Sequence, residues 1–388
     1  MPKQTRLYMS TGLMVLASTL VAGCNTGPRV APRVSPTGLG YIAPQSPRNV
    51  PDDGWTDPAP HRALGVNVAP NVRIHVLDFG GTGLPLVFLT GIGNNAHVFD
   101  DFAQRFTPSH RVVAITRRGF GESSHPADGY DQATLASDIH TVLDSLGIDR
   151  AVLAGHSIGG YELTHFAARY PDRVVGLIYL DAGSDPVASD SIRRSFANLL
   201  ATLSGLPHPP PPRQVMPEPA DSATPKAAWA YRRRVGLVDN TESAVRAAYF
   251  YEGFNPYLAN NNPVPAKIQA AIAAGERTPF AKVTAPAIFI FAARDSVSNQ
   301  PAEVQQWIDG DPVRRAAVER QLAAQGALIR AEHAYVVREL RGARMVTIQG
   351  ARHLIFLTHP DQVEHYMKEF MASLDAGATP PHGASPRE

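Results

Sequence analysis

Residues 154–160 read AGHSIGG, Ala154 to Gly160, and follow directly on the apolar run Ala151-Val152-Leu153. Within them Gly155-His156-Ser157-Ile158-Gly159 fits the pattern G-x-S-x-G. The run before it predicts a strand, and Tyr161 to Tyr170, stopped by Pro171, predicts a helix after it. That context gives the glycines a physical meaning. The chain turns so sharply that side chains at Gly155 and Gly159 would strike neighbouring backbone, and the serine is held in a strained conformation with its hydroxyl above the sheet edge. Ser157 is therefore a candidate nucleophile. The competing reading, a small-residue turn with no chemistry, has to be weighed against the rest of the chain.

Outward from this turn, short apolar runs alternate with longer amphipathic ones. Strands are expected at Val72–Phe79, Leu84–Thr90, Arg111–Thr116, Ala151–Gly155, Val174–Leu180, Ala285–Ala292 and Arg344–Gln349. Several are apolar nearly throughout, as parallel strands covered on both faces are. A helix is expected over Thr134 to Leu146, ending at Gly147, and another over Gln362 to Leu374 after Pro360. Strand, helix, strand in sequence predicts an α/β fold with a mostly parallel twisted sheet flanked by helices. Two segments break the rhythm. Ser184 to Ala281 is rich in Pro and aromatics and includes Pro207–Pro212 around His208, while Ala302 to Arg341 reads as helical.

With the elbow between its strand and helix, the chain resembles the α/β-hydrolase superfamily over about Val72 to Leu374. The resemblance implies residues 61–183 and 282–375 as two parts of one hydrolase core, with 184–281 an inserted helical cap. In that superfamily the acid follows the strand two after the elbow, and the histidine follows the last strand. Here those places hold Asp295, after Ala293-Arg294, and His353, after Gly350-Ala351-Arg352. The order Ser157, Asp295, His353 is chemically coherent. A serine hydroxyl is a weak nucleophile until an imidazole takes its proton, and the imidazole needs a carboxylate to fix its tautomer. Asp181, at the end of the preceding strand, is a rival acid, because some relatives place it there. His333 and His359 sit in helix contexts, and His156, the variable residue of the motif, is assigned to packing.

The resemblance also implies an oxyanion hole from two backbone amides. One is that of Ile158, after the nucleophile; the other is that of Ile92, in Thr90-Gly91-Ile92-Gly93-Asn94-Asn95. Many relatives carry His-Gly where this chain has Thr90-Gly91. The segment Arg117-Arg118-Gly119-Phe120-Gly121-Glu122-Ser123-Ser124 also looks family-like, with Thr116 replacing a frequent aspartate, and is read as scaffold.

Composition narrows the function further. Lys and Arg number 36 against 35 Asp and Glu, with no dense basic block, so nothing points to nucleic acid. No clustered Cys/His metal pattern and no Gly-rich phosphate loop is found, so neither a cofactor nor a metal is implied. The expected partner is a small-molecule ester or acyl compound; oligomeric state stays open.

The N-terminus is expected to lie outside the fold. Lys3 and Arg6 precede an apolar stretch, Leu13 to Ala22, too short for the ~20 residues of a spanning helix. Leu20-Val21-Ala22-Gly23-Cys24 resembles a bacterial lipoprotein lipobox, and Cys24 is the chain's only cysteine. That resemblance implies a signal peptide over 1–23, lipidation at Cys24 and anchoring in the cell envelope, with Asn25 favouring an outer membrane. Residues 24–60, with recurring prolines, are then a tether, and 376–388 a disordered tail.

Three readings follow. The first is a membrane-tethered serine hydrolase cleaving a carboxylic ester through an acyl-serine. The second keeps the triad but cleaves an amide, lactone or carbon–carbon bond. The third is a non-catalytic envelope binding protein on the same scaffold. Serine at the nucleophile position argues against epoxide opening or halide displacement, for which relatives use aspartate.

Overall fold

The computed structural model describes residues 39–41, 55–203, 205–209, 218–234, 240–252, 263–274, 277–293, 296–300 and 302–375. Among these, nine strands form one sheet: β1 (Leu39–Tyr41), β2 (Arg62–Ala69), β3 (Val72–Gly80), β4 (Leu86–Leu89), β5 (Val112–Ile115), β6 (Ala151–His156), β7 (Val174–Leu180), β8 (Ala287–Ala293) and β9 (Arg344–Gln349). Their spatial order is β1-β2-β3-β5-β4-β6-β7-β8-β9. From β5 across to β9 every pairing is parallel, and β1, β2 and β3 add an antiparallel flank. This is the α/β-hydrolase fold that the sequence predicted.

The apolar strands are explained by burial on two faces. Along β4, Val87 and Leu89 face one core with Leu153, Tyr179 and Phe289, packed under helices α1 (Gln132–Ser145) and α2 (Ile158–Arg169). Leu86 and Phe88 face the other, with Val152, Ile178 and Ile288 under Phe99, Phe102, Phe106, Phe356 and Phe370. Successive side chains of a strand point to opposite faces, so a strand covered on both sides has no position left for a polar residue. The edge strand β9 alternates instead, with Ile348 the one residue of the strand that is fully buried. Helix α1 starts on Asp131, whose carboxylate accepts the Thr134 amide, and stops at Gly147, where φ is 64°.

The cap segment supplies α3 (Pro186–Ser195), α4 (Pro225–Arg234), α5 (Glu242–Glu252) and α6 (Val264–Ala274). The helical stretch after β8 contains α7 (Pro312–Glu339), and α8 (Pro360–Asp375) closes the described chain. Residues 210–217 of the Pro-rich run, residues 1–38, Cys24 among them, and the tail 376–388 lie outside the described residues.

Two pieces of the stretch read as tether lie among the described residues. Leu39–Tyr41 pairs with β2, and Trp55 lies under the Arg246 guanidinium, 4.6 Å from its ring centre. Strand β2 was not expected at all. RALGVNVA carries Gly65 and Asn67 and buries only Leu64, Gly65 and Val66, so its apolar signal is three residues long.

Candidate active site

The elbow is built as its glycines require. Ser157 has φ 53° and ψ −119°, a region that costs a non-glycine residue roughly 1–3 kcal/mol and persists only where its surroundings enforce it. They do. A Cβ on Gly155 would sit 2.5 Å from the Gly159 carbonyl, and one on Gly159 would sit 2.6 Å from the Leu89 oxygen. The Ser157 amide donates to Leu180 O at 3.2 Å, fixing the turn to the end of β7.

His353, in the loop after β9, has Nδ1 2.6 Å from Asp181 Oδ2, a contact in which the carboxylate accepts. Asp181 is itself clamped: its Oδ1 accepts the Ala292 amide at 2.9 Å, its own amide donates to Ile290 O, and its φ is 47°. A carboxylate fixed at one oxygen and facing an imidazole at the other is the arrangement that sets the imidazole's tautomer. The acid expected from the sequence, Asp295, lies outside the described residues. The carboxylate brought to His353 is the rival, Asp181, which the β8 end holds in place through Ile290 and Ala292.

His156 links the two halves. Its Nε2 donates to the His353 carbonyl at 3.0 Å, and the two rings lie 4.6 Å apart. Above it, a Cβ on Gly91 would meet His156 Nδ1 at 2.6 Å and Ser157 Cβ at 3.3 Å. Glycine at 91 thus lets the Thr90–Asn95 loop close over the elbow. Ile92 and Ile158, the expected oxyanion donors, flank this closure. Their side chains pack together with Phe120, Tyr130, Val264 and Ile268, joining the elbow to cap helix α6 in one apolar patch.

The segment read as scaffold holds a residue that sequence reasoning undervalued. Arg117, buried, donates through Nη2 to Thr90 O at 2.6 Å and through Nη1 to Gly91 O at 3.3 Å. The same guanidinium forks onto Glu162 in α2, with Nη2 2.9 Å from Oε2 and Nε on Oε1. Burial pushes the Glu162 carboxyl up, while the Arg117 charge and hydrogen bonds draw it back toward the ionised form. One bidentate pair therefore fixes the loop expected to supply Ile92 to the helix that begins at Ile158. Nothing in the spacing of Arg117 and Glu162 signals the contact; it depends on tertiary placement.

The cap is tied to the same loop. Asn95 Nδ2 donates to Ala244 O at 2.9 Å, Thr241 Oγ1 to His97 O at 2.8 Å, and Asn240 Nδ2 to Asn94 Oδ1 at 3.2 Å. Movement of α5 would be felt directly at the loop over the nucleophile.

Residues 85–211 match a family model described as the alpha/beta hydrolase fold. A putative non-heme haloperoxidase of Mycobacterium phage D29 is 35% identical over 114 residues, 29% of this chain and 41% of that protein. A bifunctional esterase/perhydrolase of Acinetobacter calcoaceticus is 42% identical over 128 residues, 31% of this chain and 45% of that protein. The chain thus spans less than half the length of these relatives. Among solved structures, an E-2-(acetamidomethylene)succinate hydrolase superposes with TM-score 0.53 at 20% identity, covering 80% of this chain and 99% of that one, a likeness of fold alone. By sheet order, elbow geometry and the matched segment that carries the elbow, the chain has the α/β-hydrolase fold.

Proposed function

We propose that the protein is a serine hydrolase that cleaves a carboxylic ester, with Ser157 as nucleophile, His353 as general base and acid, and Asp181 as the carboxylate that orients His353. Ser157 Oγ attacks the ester carbonyl carbon as His353 takes its proton, and the amides of Ile92 and Ile158 receive the developing oxyanion. The carbon–oxygen bond to the alcohol then breaks, and the alcohol leaves with the proton held by His353. Water, deprotonated by the same imidazole, attacks the acyl-serine and releases the acid and the free enzyme.

The observation that carries this reading is the conjunction of a strained elbow serine with the 2.6 Å His353–Asp181 pair, joined through His156. The apolar patch of Ile92, Ile158, Phe120 and Val264 beside the elbow favours an acyl group with an apolar chain. We further propose that Cys24 is lipidated and holds the enzyme at the cell envelope. Among the described residues no helix is long and apolar enough to cross a membrane.

The test is covalent labelling with a fluorescent fluorophosphonate. Wild type is expected to label, and Ser157→Ala to remain dark while keeping the wild-type melting temperature. Labelling of Ser157→Ala would remove Ser157 as nucleophile. An unlabelled wild type would favour the non-catalytic binding reading.

A further inference from the structure

Apart from the triad, a second group of titratable side chains converges where the chain enters β2. His97, in the turn after the oxyanion loop, has Nδ1 3.0 Å from Asp57 Oδ2 and 3.1 Å from Asp100 Oδ2. The His61 ring stands edge-on to it at 5.3 Å, and the His75 ring of β3 stacks on it at 5.7 Å. Behind His75, Nε2 is 3.6 Å from Glu122 Oε2. His61 Nδ1, Asp100 Oδ1, His75 Nε2 and Glu122 Oε2 are all buried without a hydrogen-bond partner. His75 and Asp100 are 1% and 2% exposed, so solvent does not satisfy their open atoms. Native interiors seldom leave so many polar atoms unsatisfied in one place without a reason.

We propose that Asp57, His61 and His97 bind a divalent transition-metal ion. One ligand atom from each of the three lies within 4.8 Å of the other two. Zinc–ligand bonds of about 2.0–2.1 Å put tetrahedral ligands roughly 3.4 Å apart, so small side-chain rotations close the set. Two imidazoles and one carboxylate suit zinc and its first-row neighbours; calcium and magnesium take oxygen ligands. The donors are also oriented in advance. Asp57 Oδ1 accepts the Ala59 amide at 2.9 Å, which turns Oδ2 toward His97 Nδ1, 3.0 Å away.

The consequence is structural. The ion would clamp residues 57–61 onto the turn that carries His97, whose carbonyl already holds the cap through Thr241. Sequence spacing concealed the set, because Asp57 lies in the expected tether, His61 at the start of the expected core, and His97 36 positions beyond His61.

The test uses the full chain, stripped with chelator and titrated with ZnCl2, read by calorimetry and by melting temperature. Saturable 1:1 binding and a raised melting temperature are expected. Asp57→Asn and His61→Gln, both at half-buried positions, are each expected to weaken binding by at least the roughly 10–100-fold that loss of an outer-shell partner costs. His353→Gln should bind as wild type. No saturable binding, or unchanged affinity in both ligand variants, overturns the proposal; so does loss of binding in His353→Gln alone, which would put the ion at the triad. Should the variants not fold, CoCl2 added to wild type decides: intense visible bands of a low-coordinate nitrogen-containing site support the proposal, and the weak bands of octahedral oxygen ligation overturn it.

Discussion

Ser157 and Asp181 share an uncommon feature: each is a non-glycine residue with positive φ, at 53° and 47°, at the end of adjacent parallel strands. Strain of that kind is retained where the surrounding backbone leaves no alternative, and here Ser157 is hydrogen-bonded to Leu180 and Asp181 to the β8 end. If Asp181 orients His353, Asp181→Asn should lower kcat on a short p-nitrophenyl ester by on the order of 10⁴, while Asp295→Asn should leave it within a few-fold. A larger loss from Asp295→Asn would return the role to Asp295. The sequence presented both acids at strand ends and pointed to Asp295 by its place in the motif order, but the choice depends on which strand end the β9 loop folds over. Ser157 and His353 were legible because each is specified locally, by a glycine frame and by a strand-end position.

Among the elements, most strands were legible because burial on both faces leaves unbroken apolar runs, as in β6 and β8. Strand β2 was not, because as the second strand of the antiparallel flank it buries too few residues to show a pattern. The coupling between the Thr90–Asn95 loop and α2 was hidden for another reason: Arg117 and Glu162 are 45 residues apart and meet only in the folded core. Their removal separates charge from packing. Arg117→Leu leaves the buried Glu162 carboxylate uncompensated and should cost about 3–5 kcal/mol in urea unfolding. The double variant Arg117→Leu/Glu162→Leu should recover much of that stability, yet remain slower than wild type, because Thr90 and Gly91 lose their tether. Recovery of both stability and activity would show that the pair contributes no positioning.

At the scale of the whole molecule, docking of the N-terminal region changes the expected geometry of an anchor. A free tether over 24–60 would let the body range far from a bilayer, but with Leu39–Tyr41 paired to β2 only the chain between Cys24 and Leu39 is left, about 50 Å if fully extended. A lipidated Cys24 would therefore keep the hydrolase within reach of membrane-embedded esters, in keeping with an apolar patch at the elbow and cap. Each acyl chain adds about 0.8 kcal/mol per buried CH₂, and a single chain binds only marginally, so stable retention needs the several chains of a lipoprotein modification. Cys24→Ala, expressed in a bacterial host and fractionated, should move from the membrane pellet to the soluble fraction while fluorophosphonate labelling of Ser157 persists. Retention of Cys24→Ala in the pellet would assign membrane association to another surface and end the lipid-anchor reading, with the catalytic proposal untouched.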